Sequence, residues 1–136
     1  MGLTVLDAGI LIAALDASDA HHANAVAALR AARDAGDAFV LPTSAYAEAL
    51  VGPSRRGAGA VATVDAFVDA LPAAVEPATR EVAREAAALR AQHGRAVRLP
   101  DALVLATAAA LGADTILTTD AAWPRAAASV TVVGRR

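Results

Sequence analysis

Cysteine is absent from the chain, and so is lysine. Without thiols there is no disulfide, no thiolate nucleophile and no cysteine-ligated zinc site. The missing ε-amine removes Schiff-base chemistry, the phosphate-binding lysine of a P-loop, and the lysine that a receiver-type acidic pocket requires. Every one of the 12 basic side chains is arginine. Aromatic residues are nearly as scarce, with Phe39, Tyr46, Phe67 and Trp123 making up the whole set. Long apolar runs are lacking too. The longest uncharged stretch, Ala102 to Ala113, is about a dozen residues, against the roughly 20 that a membrane-spanning helix needs. The opening MGLTVLD has neither the basic region and apolar stretch of a secretory signal nor a hydroxyl residue where a myristoylation signal places one. These absences predict a soluble, cytoplasmic protein with no membrane partner.

What is plentiful is alanine, at 41 of 136 residues. Alanine is the best helix former, so helices are expected to dominate. The remaining apolar side chains are mainly Val and Leu. A core so thinly stocked with large groups is naturally supplemented by a buried homodimer interface. The length suits one domain, residues 1–136, and no linker, repeat or low-complexity tail divides it. The net charge of −2 does not mark a nucleic-acid binder. A surface for a polyanion must therefore come from local arginine clusters.

Leu3-Thr-Val-Leu6 reads as a buried strand ending at Asp7, and Asp7 is placed to cap a helix over Gly9–Leu15. A second helix is expected from His21 to Arg33, stopped by Gly36, followed by a strand Phe39–Leu41 that Pro42 closes. Ser44 starts a helix that Gly52-Pro53 is expected to end near Val51. Ser54 to Gly59 then reads as a mobile polar loop carrying Arg55 and Arg56. Val61, Val64, Phe67, Val68 and Leu71 recur at helical spacing over Ala60–Leu71. Ala73–Glu76 is a short strand, and Thr79 caps a helix to Gln92. Pro100 occupies a first-turn position before the helix Asp101–Leu111, which Gly112 ends. Strands at Thr115–Thr118 and Val130–Val133 complete the chain. This alternation predicts an α/β domain with a central, mostly parallel sheet and helices on both faces.

Four acids fall where such a fold gathers them. Asp7 and Asp120 follow strands at the carboxyl edge, Asp101 sits in the first turn of a helix, and Glu48 lies one turn into the helix after the second strand. Taken singly, each has an ordinary role: Asp7 or Asp101 as a helix cap, Glu48 as a solvated helix residue, Asp120 as a turn residue. Together they form a constellation. Crowded carboxylates are unfavourable unless a cation compensates, and oxygen ligands without sulfur select Mg²⁺ or Mn²⁺ over zinc. Phosphodiester hydrolysis best fits that equipment, since such an ion acidifies water and stabilises a departing oxygen.

Four segments carry a resemblance: VLDAGILIAAL around Asp7, TSAYAEAL around Glu48, LPDALVLATAAALGA around Asp101, and TILTTD ending at Asp120. In that order and spacing, from Leu3 to Val133, the chain resembles PIN-domain ribonucleases, in particular bacterial toxins of the VapC type. The resemblance implies a PIN-like fold and a Mg²⁺- or Mn²⁺-dependent endoribonuclease acting as the toxin of a toxin–antitoxin pair. Its RNA substrate would be transfer or ribosomal RNA, its protein partner a small cognate antitoxin, and its assembly a homodimer. It further implies that Asp7 and Asp101 are most directly associated with the metal. Glu48 and Asp120 would bind directly or through water, and Thr118 would hydrogen-bond an acid or water beside them.

Arg55, Arg56, Arg98 and Arg125 neighbour the acidic motifs. They are either forks for RNA phosphates or solvated charges, and both readings stay open. His21, His22 and His93 sit at helix ends as dipole partners, Asp16 and Asp19 read as turn residues, and Trp123 as a packing residue. A catalytically silent PIN-like module that binds RNA or protein is the alternative from another class. A haloacid-dehalogenase-like phosphatase needs a second Asp where Gly9 stands.

Overall fold

In the computed structural model, which describes residues 2–123 and 129–134, the N-terminal apolar run is the strand β1 (Leu3–Leu6), with Val5 and Leu6 wholly buried. There follow α1 (Ala8–Leu15), α2 (His22–Asp34), β2 (Ala38–Pro42), α3 (Thr43–Arg56), α4 (Ala58–Ala70), β3 (Ala73–Glu76) and α5 (Arg80–His93). A single 3₁₀ turn, Gly94–Ala96, leads to α6 (Leu99–Leu111), β4 (Thr115–Thr118) and β5 (Ser129–Val132). Strands and helices follow one another as an α/β domain requires. Arg125 lies outside the described residues.

The five strands among the described residues form one sheet in the order β3-β2-β1-β4-β5, and each neighbouring pair is parallel. The sheet is therefore all-parallel rather than mostly so. Parallel strands need covered faces, and here Thr4, Val5 and Leu6 are buried in succession, as are Ile116, Leu117 and Thr118. The chain winds outward from β1 through β2 to β3, then crosses back to β4 on the other side of β1. Right-handed crossovers in opposite directions put helices on opposite faces. Alanine shapes the helical layers. The α5–α6 pair buries Ala86 on one helix and Ala102 and Ala106 on the other, small side chains that let helices approach closely. The Tyr46 hydroxyl, which donates to Asp65, ties α3 to α4.

One expected boundary is corrected. The helix starting at Thr43 does not end near Val51 but runs through Gly52-Pro53 to Arg56. Proline's ring clashes with the Cβ of the preceding residue in a helix, and Gly52 has none. Pro53 is buried, so tertiary packing supports a position that local rules would break. The helix stops at Gly57, whose φ of 119° suits glycine alone, and α4 begins at the next residue. No loop spans Ser54 to Gly59. Arg55 and Arg56 stand in the last turn of α3, where the helix dipole favours cations.

Candidate active site

The direction of winding reverses between β1 and β4, and open parallel sheets bind ligands outside the strand ends at such a point. Asp7 leaves β1 there. Its backbone N–H donates to the Leu117 carbonyl of β4 at 3.0 Å. The side chain is only 7% exposed. Its Oδ1 accepts the Ala8 N–H at 2.8 Å, capping α1, and its Oδ2 accepts the Thr118 hydroxyl at 2.8 Å.

Thr118 is fully buried at the end of β4, and its Oγ1 also accepts the Asp120 N–H at 3.0 Å. One hydroxyl thus links the backbone at Asp120 to the carboxylate of Asp7. Asp120 in turn accepts the Ala122 N–H on Oδ1 at 2.9 Å, closing an Asx turn. That turn carries the chain back inward, and Trp123 next to it is buried. Between these two loops Gly9 allows a close approach. A Cβ there would meet the Thr119 hydroxyl, so a larger residue in the first turn of α1 requires that side chain to turn away.

Asp101 enters from the first turn of α6, with Pro100 in the same turn and Arg98 at the N-cap. It is half-buried. Glu48 projects from α3 on the exposed side of the site. It lines a cleft of about 570 Å³ between α1, α3 and α4, together with Ile12, Asp16, Pro53 and Arg56.

The electrostatics join these acids. Burial above all pushes the Asp7 carboxyl up to about 6; the Thr118 hydroxyl and Ala8 N–H pull it back, and the charges of Asp101 and Glu48 push it further. Asp101 is also raised, first by burial, with Arg98 opposing and Asp120 and Glu48 adding repulsion. Asp7 therefore feels Asp101 and Glu48, and Asp101 feels Glu48 and Asp120. Each of the four predicted acids is thus coupled to at least one other. They are not closed into a cage, for among the described residues no three carboxylate or imidazole groups stand close enough to form a preassembled ligand set.

The arginines divide. Arg98 faces Asp101, and Arg56 lies in the cleft with Glu48 and Asp16. Arg55 is exposed and does not line the cleft. Asp16 is the turn residue expected, held by the Ser18 hydroxyl at 2.6 Å and N–H at 2.9 Å. His22 Nδ1 meets the Ala13 carbonyl at 2.8 Å and His21 meets Asp19, both local contacts. Two features of the site are not legible in the sequence. The sequence assigns Trp123 to packing and does not show that its buried indole N–H has no hydrogen-bond partner among the described residues. Gly9 and Thr119 escaped because their contact joins segments 110 residues apart.

Residues 4–129 match the family described as the PIN domain. No curated protein matches the chain. Among solved structures, a toxin–antitoxin complex from Klebsiella pneumoniae shares 19% identity at a TM-score of 0.76, over 98% of this chain and 99% of that one. FitAB bound to an IR36 DNA fragment shares 21% at 0.72, over 95% and 94%. VapC20 of Mycobacterium tuberculosis, described as a sarcin–ricin loop cleaving toxin, shares 20% at 0.67, over 83% and 86%. These likenesses show a common fold.

Proposed function

As the chain belongs to the PIN-domain family, we propose that it is a Mg²⁺- or Mn²⁺-dependent endoribonuclease, the toxin of a toxin–antitoxin pair, hydrolysing RNA phosphodiesters. The observation that carries this reading is the buried carboxyl of Asp7, raised to about 6 at the sheet's switch point and repelled by Asp101 and Glu48. Mutually repelling carboxylates raise one another's pKa unless a cation compensates, and groups so perturbed cluster at functional sites.

The donor set fits a hard divalent cation. All four groups offer carboxylate oxygens, and Mg²⁺ typically takes one or two protein carboxylates plus waters and substrate phosphates rather than an all-protein cage. The open spacing of the acids suits that habit. Asp7, Glu48, Asp101 and Asp120 would hold the ion, which when bound supplies positive charge and Lewis acidity for attack of water on phosphorus. The chain's own residues do the rest. Thr118 and the Ala8 N–H each take one lone pair of Asp7 and fix its plane, leaving the other lone pairs free. Arg98 and Arg56, at two sides of the acids, suit bidentate contact with RNA phosphates. Arg55 and Arg125 are proposed as further phosphate contacts.

Structured RNA, transfer or ribosomal, is the substrate class we assign, and the description of VapC20 as cleaving the sarcin–ricin loop supports it. A small antitoxin is the assigned protein partner, since the Klebsiella pneumoniae structure of this fold is a toxin–antitoxin complex. A homodimer is the assigned assembly, checked by sedimentation. The deciding experiment sequences the RNA ends left by the wild type and by Asp101→Asn, with and without EDTA. Cuts specific to the metal-loaded wild type are expected; identical fragments from both proteins, or cleavage that survives EDTA, refute the reading. One observation favours the silent-module alternative, namely the lack of three closely spaced ligand groups among the described residues. Calorimetry that finds no Mn²⁺ binding supports that alternative.

A further inference from the structure

Resting on the reading of the chain as a ribonuclease, we propose that the cleft between α1, α3 and α4 recognises a guanine base of the RNA, with Asp16 and Arg56 as its reading residues. Glu48, Gly52 and Arg56 follow one another at a spacing of four along α3, so they share a face, and all three line the cleft. Glu48 is also one of the coupled acids, which makes the cleft continuous with the site of cleavage. A strand whose phosphate lies at the acids has its neighbouring base beside this opening. Gly52 leaves the α3 wall bare between its two charged side chains. A Cβ on it would stand 3.6 Å from Arg56 Nη1, so the guanidinium folds back over the Gly52 turn. From α1 the cleft takes Ile12, an apolar side chain left 41% exposed, and Asp16 at the helix end.

Arg56 and Asp16 bear opposite charges in one cleft, yet among the described residues neither takes part in an ion pair. A ligand that presents acceptors to one and donors to the other satisfies both. The carboxylate is already oriented for it. Asp16 Oδ1 accepts the Ser18 hydroxyl at 2.6 Å and the Ser18 N–H at 2.9 Å, which fixes the group and leaves Oδ2 uncommitted by that turn. RNA recognition commonly splays a base out of the stack and reads its edges. Guanine offers O6 and N7, which an arginine fork takes together, and N1–H with the N2 amino group, a pair of donors for one carboxylate. Adenine and cytosine present a single amino group and uracil a single imino N–H. Guanine alone offers a two-point edge to each of the two charges.

Binding in EDTA reads the cleft without the metal. Fluorescein-labelled pentanucleotides, UUGUU and the same sequence with inosine or 7-deazaguanosine at the centre, are titrated by fluorescence anisotropy. Inosine lacks the N2 amino group, and 7-deazaguanosine lacks the N7 acceptor. The wild type should bind the guanosine form about tenfold more tightly than either analogue, the scale of one hydrogen bond to a charged group. Asp16→Asn should abolish the inosine penalty and keep the 7-deazaguanosine penalty, and Arg56→Gln should do the reverse. Both positions are exposed, and unchanged thermal unfolding checks that the variants fold. No binding, equal binding of all three oligonucleotides, or penalties that neither variant shifts overturns the proposal and leaves the cleft to a protein partner. A protein that cuts no RNA in Mg²⁺ fails the nuclease reading instead, and the ranking in EDTA still decides the cleft.

Discussion

Replacing Asp7 by Asn should make the metal-free protein more stable, and only at neutral pH. The Asp7 carboxyl is raised from 3.8 to about 6 in the fold. The sign follows from proton binding. Between those two values the folded chain holds a proton that the unfolded chain has released, so stability is fully present below 3.8 and is lost as pH rises through about 6. Above that range, keeping Asp7 ionised costs about 3 kcal/mol. Asparagine never pays that cost. It does disturb the Thr118 contact, because an amide N–H now faces a hydroxyl that already accepts from Asp120, and this offsets about 1 kcal/mol.

The net gain expected at pH 7.5 is about 2 kcal/mol, a rise in Tm of roughly 6 to 10 °C for a domain of this size. At pH 4 the wild-type carboxyl is protonated in the fold and the advantage should vanish. Thermal unfolding followed by circular dichroism in EDTA at the two pH values measures both quantities. If Asp7→Asn is no more stable at pH 7.5, or is equally favoured at pH 4, the carboxyl is not the strained charge described above.

Thr118→Val removes one donor from Asp7 and one acceptor from Asp120, and should destabilise by about 1 to 3 kcal/mol in chemical denaturation, with Thr118→Ser recovering most of the loss. Gly9→Ala gains helix propensity worth about 1 kcal/mol but drives a methyl into the Thr119 hydroxyl. The double variant with Thr119→Ala should therefore be more stable than Gly9→Ala alone, and a strictly additive double-mutant cycle would contradict the close approach. Mn²⁺ at a hundredfold excess over its dissociation constant should stabilise the wild type by about 2.7 kcal/mol, and should stabilise Asp7→Asn or Asp101→Asn far less. Equal thermal shifts in all three proteins would remove these acids from the metal site.

How much of this was legible beforehand depends on how local each feature is. Strands such as Leu3–Leu6 and Thr115–Thr118 show in runs of β-branched and aliphatic residues, and the Thr79 cap is written in one residue and realised by its bond to Val82 N–H at 3.2 Å. The acids at the strand ends were legible for the same reason. The strand order was not, since pairing β1 with β4 joins segments more than 100 residues apart that carry no mutual mark. Gly52-Pro53 was misleading because its local preference is to end a helix. Burial of Pro53 outweighs that preference, which moves Arg55 and Arg56 from a loop to a helix end. Trp123 looked like packing because the sequence does not reveal that its N–H lacks an acceptor.

The choice between helix cap and metal ligand, which makes each acid ambiguous in isolation, dissolves in the geometry. A carboxylate has two oxygens and about four acceptor sites. Capping α1 occupies one site on Asp7 Oδ1, and Thr118 occupies one on Oδ2, which leaves a free site on each oxygen and the plane of the group fixed. Asp120 follows the same logic, with Oδ1 closing a turn and Oδ2 uncommitted by it. The capping contacts are what orient the acids, so in the proposed metal site the structural role would preorganise the chemical one. It follows that a substitution sparing the carboxylates but removing a donor, as Thr118→Val does, should weaken metal binding as surely as Asp→Asn changes do. It should do so without the gain in metal-free stability expected of Asp7→Asn. That opposite sign separates a residue that carries the charge from one that aims it.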